Sequence, residues 1–351
     1  MSTPTPLLDL YRHRDVPLLA WGPDALQVVR AASFAEPALE YASIRKSAAL
    51  VDESTLAVLD VEGSDRLDFL NRMITQECAS MQAGDTRRSF WLNRKGRIDA
   101  DLHLIELGDR TRVLLDVHTL EAASTLASFI FTEDVTLTPR DDLHVLGLHG
   151  PGAPEILRSM SGGGDLSPQI TIEGVSCTIV PHAPTLETGY SIIAPSSSIE
   201  ALWGALESRA RPCGWFAFNV ARVEAGTPLL FVDFATDSLP HETGIVETRV
   251  SFRKGCYLGQ EIVARMQSLG RPKQSLVALR ASGDGEQPST GAPVRDASGE
   301  VVGNVTSSVI SPMLGDVAIA FAMMRTSCEE TDLVVDHLPM TRQPSLRFLP
   351  D

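Results

Sequence analysis

The stretch Arg253-Lys254-Gly255-Cys256-Tyr257-Leu258-Gly259-Gln260-Glu261 decides how this chain is read. Glycines stand on either side of the Cys-Tyr pair, so the backbone there is free to take a positive φ or to pass close to a ligand. Residues Gln260 to Met266, which follow, read as one or two helical turns. Cys256 is therefore expected just ahead of a helix N-terminus and beside two fixed cations, Arg253 and Lys254. Both features favour the thiolate, the form that attacks as a nucleophile or ligates a metal. The competing reading makes Cys256 a small buried hydrophobe in a glycine turn.

Composition narrows the field. At 351 residues the chain is long enough for two or three domains with substantial cores. A hydrophobic content of 43% with 21% charged residues is ordinary for a soluble globular protein. No apolar run approaches the ~20 residues of a membrane span, and Met1 to Pro6 lack the cationic and apolar regions of a signal peptide. A cytoplasmic protein without membrane partners is expected. Five scattered cysteines with no Cys-x-x-Cys pair argue against a disulfide framework and against a self-contained zinc or iron–sulfur site. The eight histidines are scattered too, so no metal site is expected. The formal charge of −15 repels nucleic acid backbones and argues against direct tRNA binding. One local basic patch stands out, formed by Arg249, Arg253, Lys254, Arg265, Arg271 and Lys273. It can pair with neighbouring acids or face a small anionic ligand.

Outward from the motif, the chain alternates strands and helices. Thr55 to Val61 alternates like a strand, and Ser64 is the expected N-cap of an amphipathic helix over Asp65 to Thr75. Trp91 to Leu104 reads as two strands joined by a turn at Lys95-Gly96. The period of two puts Asp99 and Asp101 on one strand face. Such a pair serves acid–base chemistry or simply faces solvent. Glu187-Thr188-Gly189 precedes a further strand, and a helix over Phe216 to Glu224 ends at Gly226. From Ser275 onward, short strands with glycine turns predict a small β-barrel, with the boundary near Arg271-Pro272.

The string Lys254 to Glu261, with Ala264-Arg265 behind it, resembles the signature of the YgfZ family of folate-binding proteins that assist iron–sulfur enzymes. That family is similar in fold to the T-protein (aminomethyltransferase) of the glycine cleavage system. Further motifs keep the same order: Glu62-Gly63-Ser64-Asp65 before a helix carrying Phe69-Leu70, the Gly150-Pro151 turn, Glu187-x-Gly189-Tyr190-x-Ile192, and Arg222-x-Glu224-x-Gly226-x-Pro228. Gln76-Glu77 departs from the Asn-Asp usual after the threonine. Pro240-His241-Glu242 resembles a Pro-x-Glu of the relatives, without the Asn or Asp that often follows. The resemblance spans roughly residues 40–336 and implies an α+β fold: a T-protein-like folate-binding core of two similar halves (residues 1–271, divided near 150–165) and a C-terminal small β-barrel (272–351).

What the resemblance implies for function follows residue by residue. Tetrahydrofolate, or a one-carbon derivative, would be the cofactor. Glu187 would hold the pterin, Arg222 would line the folate site, and Lys254, Tyr257 and Gln260 of the motif would add contacts. Asp101 fits best the aspartate that meets the reactive part of the folate, with Asp99 the near alternative. In the YgfZ reading, Cys256 is the essential thiol, nucleophile or cluster ligand, and the partners are iron–sulfur client enzymes or cluster carrier proteins. In the T-protein reading the chain is an aminomethyltransferase and Asp101 steers the folate nitrogen. A third reading is a folate-binding scaffold in which Cys256 only packs.

Overall fold

The computed structural model describes residues 5–22, 28–284 and 286–350. The chain divides into two compact, discontinuous units. The first comprises residues 1–73, 78–88 and 101–218, and the second comprises 74–77, 89–100 and 219–351.

The first unit is built on antiparallel sheets whose strands are apolar on both faces. One sheet runs in the order Gln169–Ile172, Val175–Pro181, Gly189–Pro195, Leu143–His149, Ala49–Asp52, with the short Arg211–Pro212 parallel at its edge. Leu50, Leu146, Leu148, Ile179 and Ile192 point from it into a core closed by Leu157 and by Leu202, Trp203 and Leu206. The latter come from helices Ala153–Met160 and Ile199–Glu207. A second sheet contains Ile98–Glu106, Arg110–Asp116, Leu56–Glu62 and Thr136–Pro139, paired antiparallel in that order. Val58, Ile105 and Leu114 of this sheet meet Val145, Val180 and Ile193 of the first. The expected helix at Asp65 runs over Arg66–Met73. The Ser64 hydroxyl donates to Asp134 Oδ2 at 3.0 Å, so this serine ties the helix start to a neighbouring loop.

The second unit carries a closed six-stranded barrel in the order Gln274–Asp284, Val317–Arg325, Val301–Ser311, Pro293–Arg295, Asp332–Val335, Leu338–Arg342. Alternation along Val317–Arg325 explains its closure. Ala318, Ala320, Ala322 and Met324 fill the interior, where small side chains suit a narrow barrel. Ile319 and Phe321 point outward against Val223 and the tail residue Phe348. The α+β class and the small barrel expected from the sequence are present. No helix among the described residues is long and apolar enough to cross a membrane.

Sheet pairing in the first unit also buries an acid. Ala49 and Gly189 both lie opposite His149, and this register gathers Glu53, His149, His182 and Ser191. The Ser191 hydroxyl donates to Glu53 Oε2 at 2.7 Å; His182 Nδ1 and His149 Nε2 stand 3.5 and 3.7 Å from Oε1. Burial alone would raise the Glu53 carboxyl, but its histidine neighbours outweigh burial and hold it well below the usual carboxylate range. Burial, reinforced by Arg88, pushes His182 down to about 4 against the pull of Glu53. An imidazole with a depressed folded pKa stabilises the fold above its unfolded pKa and loses that contribution as pH falls. Acidification from about pH 6.5 to pH 4 should therefore cost stability on the order of 2–3 kcal/mol. His182→Asn should flatten this part of the profile in urea denaturation, and an unchanged acid slope would refute the assignment.

Candidate functional site

The central motif lies in the second unit and is anchored from below. Thr75 is fully buried; its hydroxyl donates to the Arg249 carbonyl at 2.7 Å and accepts from the Phe90 N–H at 2.9 Å. The segment on either side of Thr75 offers two carbonyls, of Ile74 and Gln76, and the Lys254 ammonium donates to both at 2.8 Å. That ammonium also lies 5.4 Å from the ring centroid of Tyr257. Tyr257 itself is buried among Phe90, Leu92 and Val263, and burial pushes its hydroxyl up to about 12. Lys254 and Tyr257 thus clamp the motif onto residues 74–76, while Arg253, Gly255 and Cys256 between and beside them face solvent.

The two glycines have different jobs. Gly259 adopts φ +79° at the start of helix Gln260–Leu269, and a Cβ on it would fall 2.7 Å from the Asn93 carbonyl oxygen and 3.1 Å from Gly96 Cα. Gly96, at φ +69° in the turn expected between the two strands, is pressed against Ile262 of the same helix. The hairpin tip and the helix start therefore fit together glycine to glycine. Gly255 has no positive φ, and a Cβ on it would meet nothing within 4 Å. The cysteine does stand ahead of a helix, as the sequence suggests, with four residues between it and the first helical position counted inclusively of Cys256. The reading that both flanking cations bear on the thiol changes: Lys254 is turned inward to the carbonyls.

The carboxylates occupy strand faces. Along Ile98–Glu106 the half-buried Asp99 and Asp101 alternate with the buried Ile98 and Ala100, which is the expected period of two. Asn93 Nδ2 donates to Asp99 Oδ1 at 2.9 Å; burial outweighs this bond and raises the Asp99 carboxyl. Glu187 stands in the first unit just before the strand Gly189–Pro195, with its side chain 30% exposed and Arg45 Nη1 at 3.4 Å from Oε1. Arg45 also donates to the Thr185 carbonyl at 2.5 Å, so the arginine fixes both the loop and the carboxylate. Gln260, half-buried, opens the helix after the motif.

Arg222 is completely buried. Its guanidinium donates to Asn219 Oδ1 at 2.9 Å, to the Thr227 carbonyl at 3.2 Å, to Asp233 and to Ser307. Asp233 accepts in turn from Ser307 and Thr306 of the barrel. Arg222 is thus the pin of a buried network joining a helix, a loop and a barrel strand. Glu224 accepts from Ser311 of the same barrel strand, so the Arg-x-Glu motif makes two ties to the barrel. Glu242 is buried as well and accepts from the Leu239 N–H at 2.9 Å.

Of the motif glycines, only Gly259 has a conformation that a side chain disturbs. Gly259→Ala should destabilise the protein by at least about 2 kcal/mol, from the positive φ and the clash with Asn93. Gly255→Ala should change stability by less than about 0.5 kcal/mol. Guanidinium unfolding of the two variants checks this, and equal costs would contradict the assignment.

Residues 18–254 match the family described as the GCVT N-terminal domain. The aminomethyltransferase of Symbiobacterium thermophilum is 27% identical over 354 residues, covering 94% of this chain and 92% of the relative. The aminomethyltransferase of Methylococcus capsulatus is 33% identical over 212 residues, 59% of each chain. Among solved structures, the glycine cleavage system aminomethyltransferase T from Bartonella henselae superposes with a TM-score of 0.87 at 22% identity, covering 99% of this chain and 98% of that one. At that identity the likeness shows a shared fold. The family match takes in well over half the chain, from the first hairpin to the motif lysine, and the chain belongs to the GCVT N-terminal domain family.

Proposed function

We propose that this chain is a tetrahydrofolate-binding protein of the YgfZ type, which supports assembly or repair of iron–sulfur clusters in client enzymes. The observation that carries the reading is the presentation of Cys256. It is exposed on a clamped, open backbone, whereas Cys78, Cys177 and Cys213 are buried and Cys328 is half-buried. In this reading the Cys256 thiol works transiently as nucleophile or cluster ligand. One thiol cannot complete a cluster site, so a client enzyme or carrier protein supplies the remaining ligands. The protein works in the cytoplasm, where thiols stay reduced.

The residues fit folate unevenly. Glu187 is open enough to accept paired N–H bonds from a pterin, and Arg45 beside it keeps the carboxylate oriented. Asp101, with Asp99 as the alternative, offers a half-buried carboxylate, and Gln260 is half-exposed. Arg222 fits poorly as a direct contact, since its donors serve Asn219, Thr227, Asp233 and Ser307. We assign it a structural role, and we assign Lys254 and Tyr257 the support of Cys256 in preference to folate contact. Bound tetrahydrofolate would supply a one-carbon carrier.

A second reading, a folate-dependent aminomethyltransferase, is favoured by the names of the relatives and by the carboxylate at Asp101. In that case Asp101 orients the folate nitrogen and Cys256 is dispensable.

Two measurements test the proposal, the first the folate site common to both readings and the second the choice between them. Glu187→Gln should weaken tetrahydrofolate binding about tenfold in calorimetry, the cost of a charge-assisted bond; undiminished affinity would remove Glu187 from the site. In a host deleted for this protein, the wild-type chain should restore the activity of an iron–sulfur enzyme, and Cys256→Ser should leave it near the deletion level. Equal rescue by both would move the chemistry to Asp101, and a deletion without effect on iron–sulfur enzymes would overturn the YgfZ reading.

A further inference from the structure

The chain is strongly acidic, with 30 cations against 45 carboxylates, but the charge is unevenly spread. Residues 89–100 and 243–273 of the second unit together hold nine cations and three carboxylates. The close packing of Gly96 on Gly259 and Ile262 places the hairpin tip, with Lys95, at the start of helix Gln260–Leu269. Arg253 and Cys256 lie in the loop leading into that helix, and Arg271 and Lys273 follow its end, about 15 Å further on. Lys95, Arg253, Arg265, Arg271 and Lys273 are all exposed. Two of them make ion pairs, Arg265 with Glu261 at 3.1 Å and Arg271 with Glu329 at 3.4 Å. Both pairs are open to solvent and hold little energy against a competing anion.

Within this surface stands an apolar group. Phe252 is 40% exposed and lies 6.0 Å from the His241 ring. An exposed aromatic among arginines and lysines has the make-up of a protein contact, in which the aromatic anchors and the charges steer. The open space over Gly255 lets a partner backbone approach Cys256 without a Cβ in its way.

We propose that the surface formed by the Lys95 hairpin tip, the Arg253–Cys256 loop and the helix Gln260–Leu269 with its Arg271–Lys273 exit docks an acidic face of a protein partner, and brings that partner over Cys256. A nucleic acid suits the surface less well. Phe252 is the one aromatic residue on it that is open for base stacking, and an extended polyanion running past the patch meets the acidic remainder of the chain. The identification of the partner as an iron–sulfur client or carrier rests on the function proposed above; the docking surface does not.

The test uses the full chain and a fluorescein-labelled peptide of about 20 residues, half of them glutamate, a length that matches one side of an ordinary interface. Binding should weaken as salt rises from about 50 to about 200 mM. It should fall at least about tenfold in the triple variant Lys95→Glu, Arg253→Glu, Lys273→Glu. Saturating peptide should also slow alkylation of Cys256 by iodoacetamide. A control triple, Arg12→Glu, Arg158→Glu, Arg209→Glu, makes the same change in net charge on the first unit and should bind like the wild type. Thermal melting establishes that both triples fold. Absence of binding, equal loss in both triples, or unprotected Cys256 would overturn the proposal. So would a single-stranded RNA of similar charge that binds more tightly than the peptide. None of these readouts involves folate or an iron–sulfur enzyme, so they fail independently of the rescue experiment.

Discussion

The loop that carries Cys256 depends on one half-buried cation being turned inward. The Lys254 ammonium sits on the carbonyls of Ile74 and Gln76, and the segment that offers them is held by Thr75 to Phe90 and to Arg249. An ammonium partly withdrawn from water replaces its lost hydration with such acceptors. The contact therefore fixes where the loop over residues 253–257 can run. With Lys254 and Tyr257 pinned on one side of the backbone, Cys256 is left on the other. The thiol is exposed while Tyr257 is buried and Lys254 is turned to the carbonyls.

The same logic explains the conformational demands around it. Gly259 and Gly96 take left-handed φ values at the point where hairpin and helix meet, and neither could carry a side chain there without moving the other. Arg222 and Asp233 provide a second buried pin, with Ser307 and Thr306 supplying the bonds that a lone ion pair would lack. Both arrangements use the motifs that look most functional in the sequence to hold the scaffold that carries Cys256.

Much of the fold was legible because the signals are local. Alternation in Val317–Arg325, the turn at Gly96 and the helix after Gly259 follow from periodicity and glycine placement within a few residues. What escaped depends on distant pairing. The closing barrel strand Leu338–Arg342 contains Pro339 and partly exposed polar residues, and only its register with Leu333 and Ala281 makes it a strand. Arg222 and Glu224 stand two residues apart in one motif, and their partners Ser307 and Ser311 come from a barrel strand more than 80 positions later. The Glu53, His149, His182 and Ser191 cluster left no mark in the sequence, since its members come from separate chain segments aligned only by sheet register. For Asp99, alternation gave the face; that burial would win over the Asn93 bond needed the packed structure.

Selectivity among five cysteines is settled as much by where the others are as by where Cys256 is. Burial pushes the Cys177 thiol up to about 11 and raises Cys213 well above its ordinary value, so neither holds thiolate near neutral pH. Cys78 is fully buried, its Sγ 3.8 Å from the Leu67 carbonyl. An electrophile or a metal-bearing partner that needs direct access meets Cys256 first, on the side of the unit where the cations gather. In the role proposed for Cys256, attraction of an acidic partner and burial of the competing thiols would act together, one raising the encounter rate near Cys256 and the other withholding Cys177 and Cys213. For a chain of net charge −15, that local reversal is what would let Cys256, in its proposed role, meet an acidic protein.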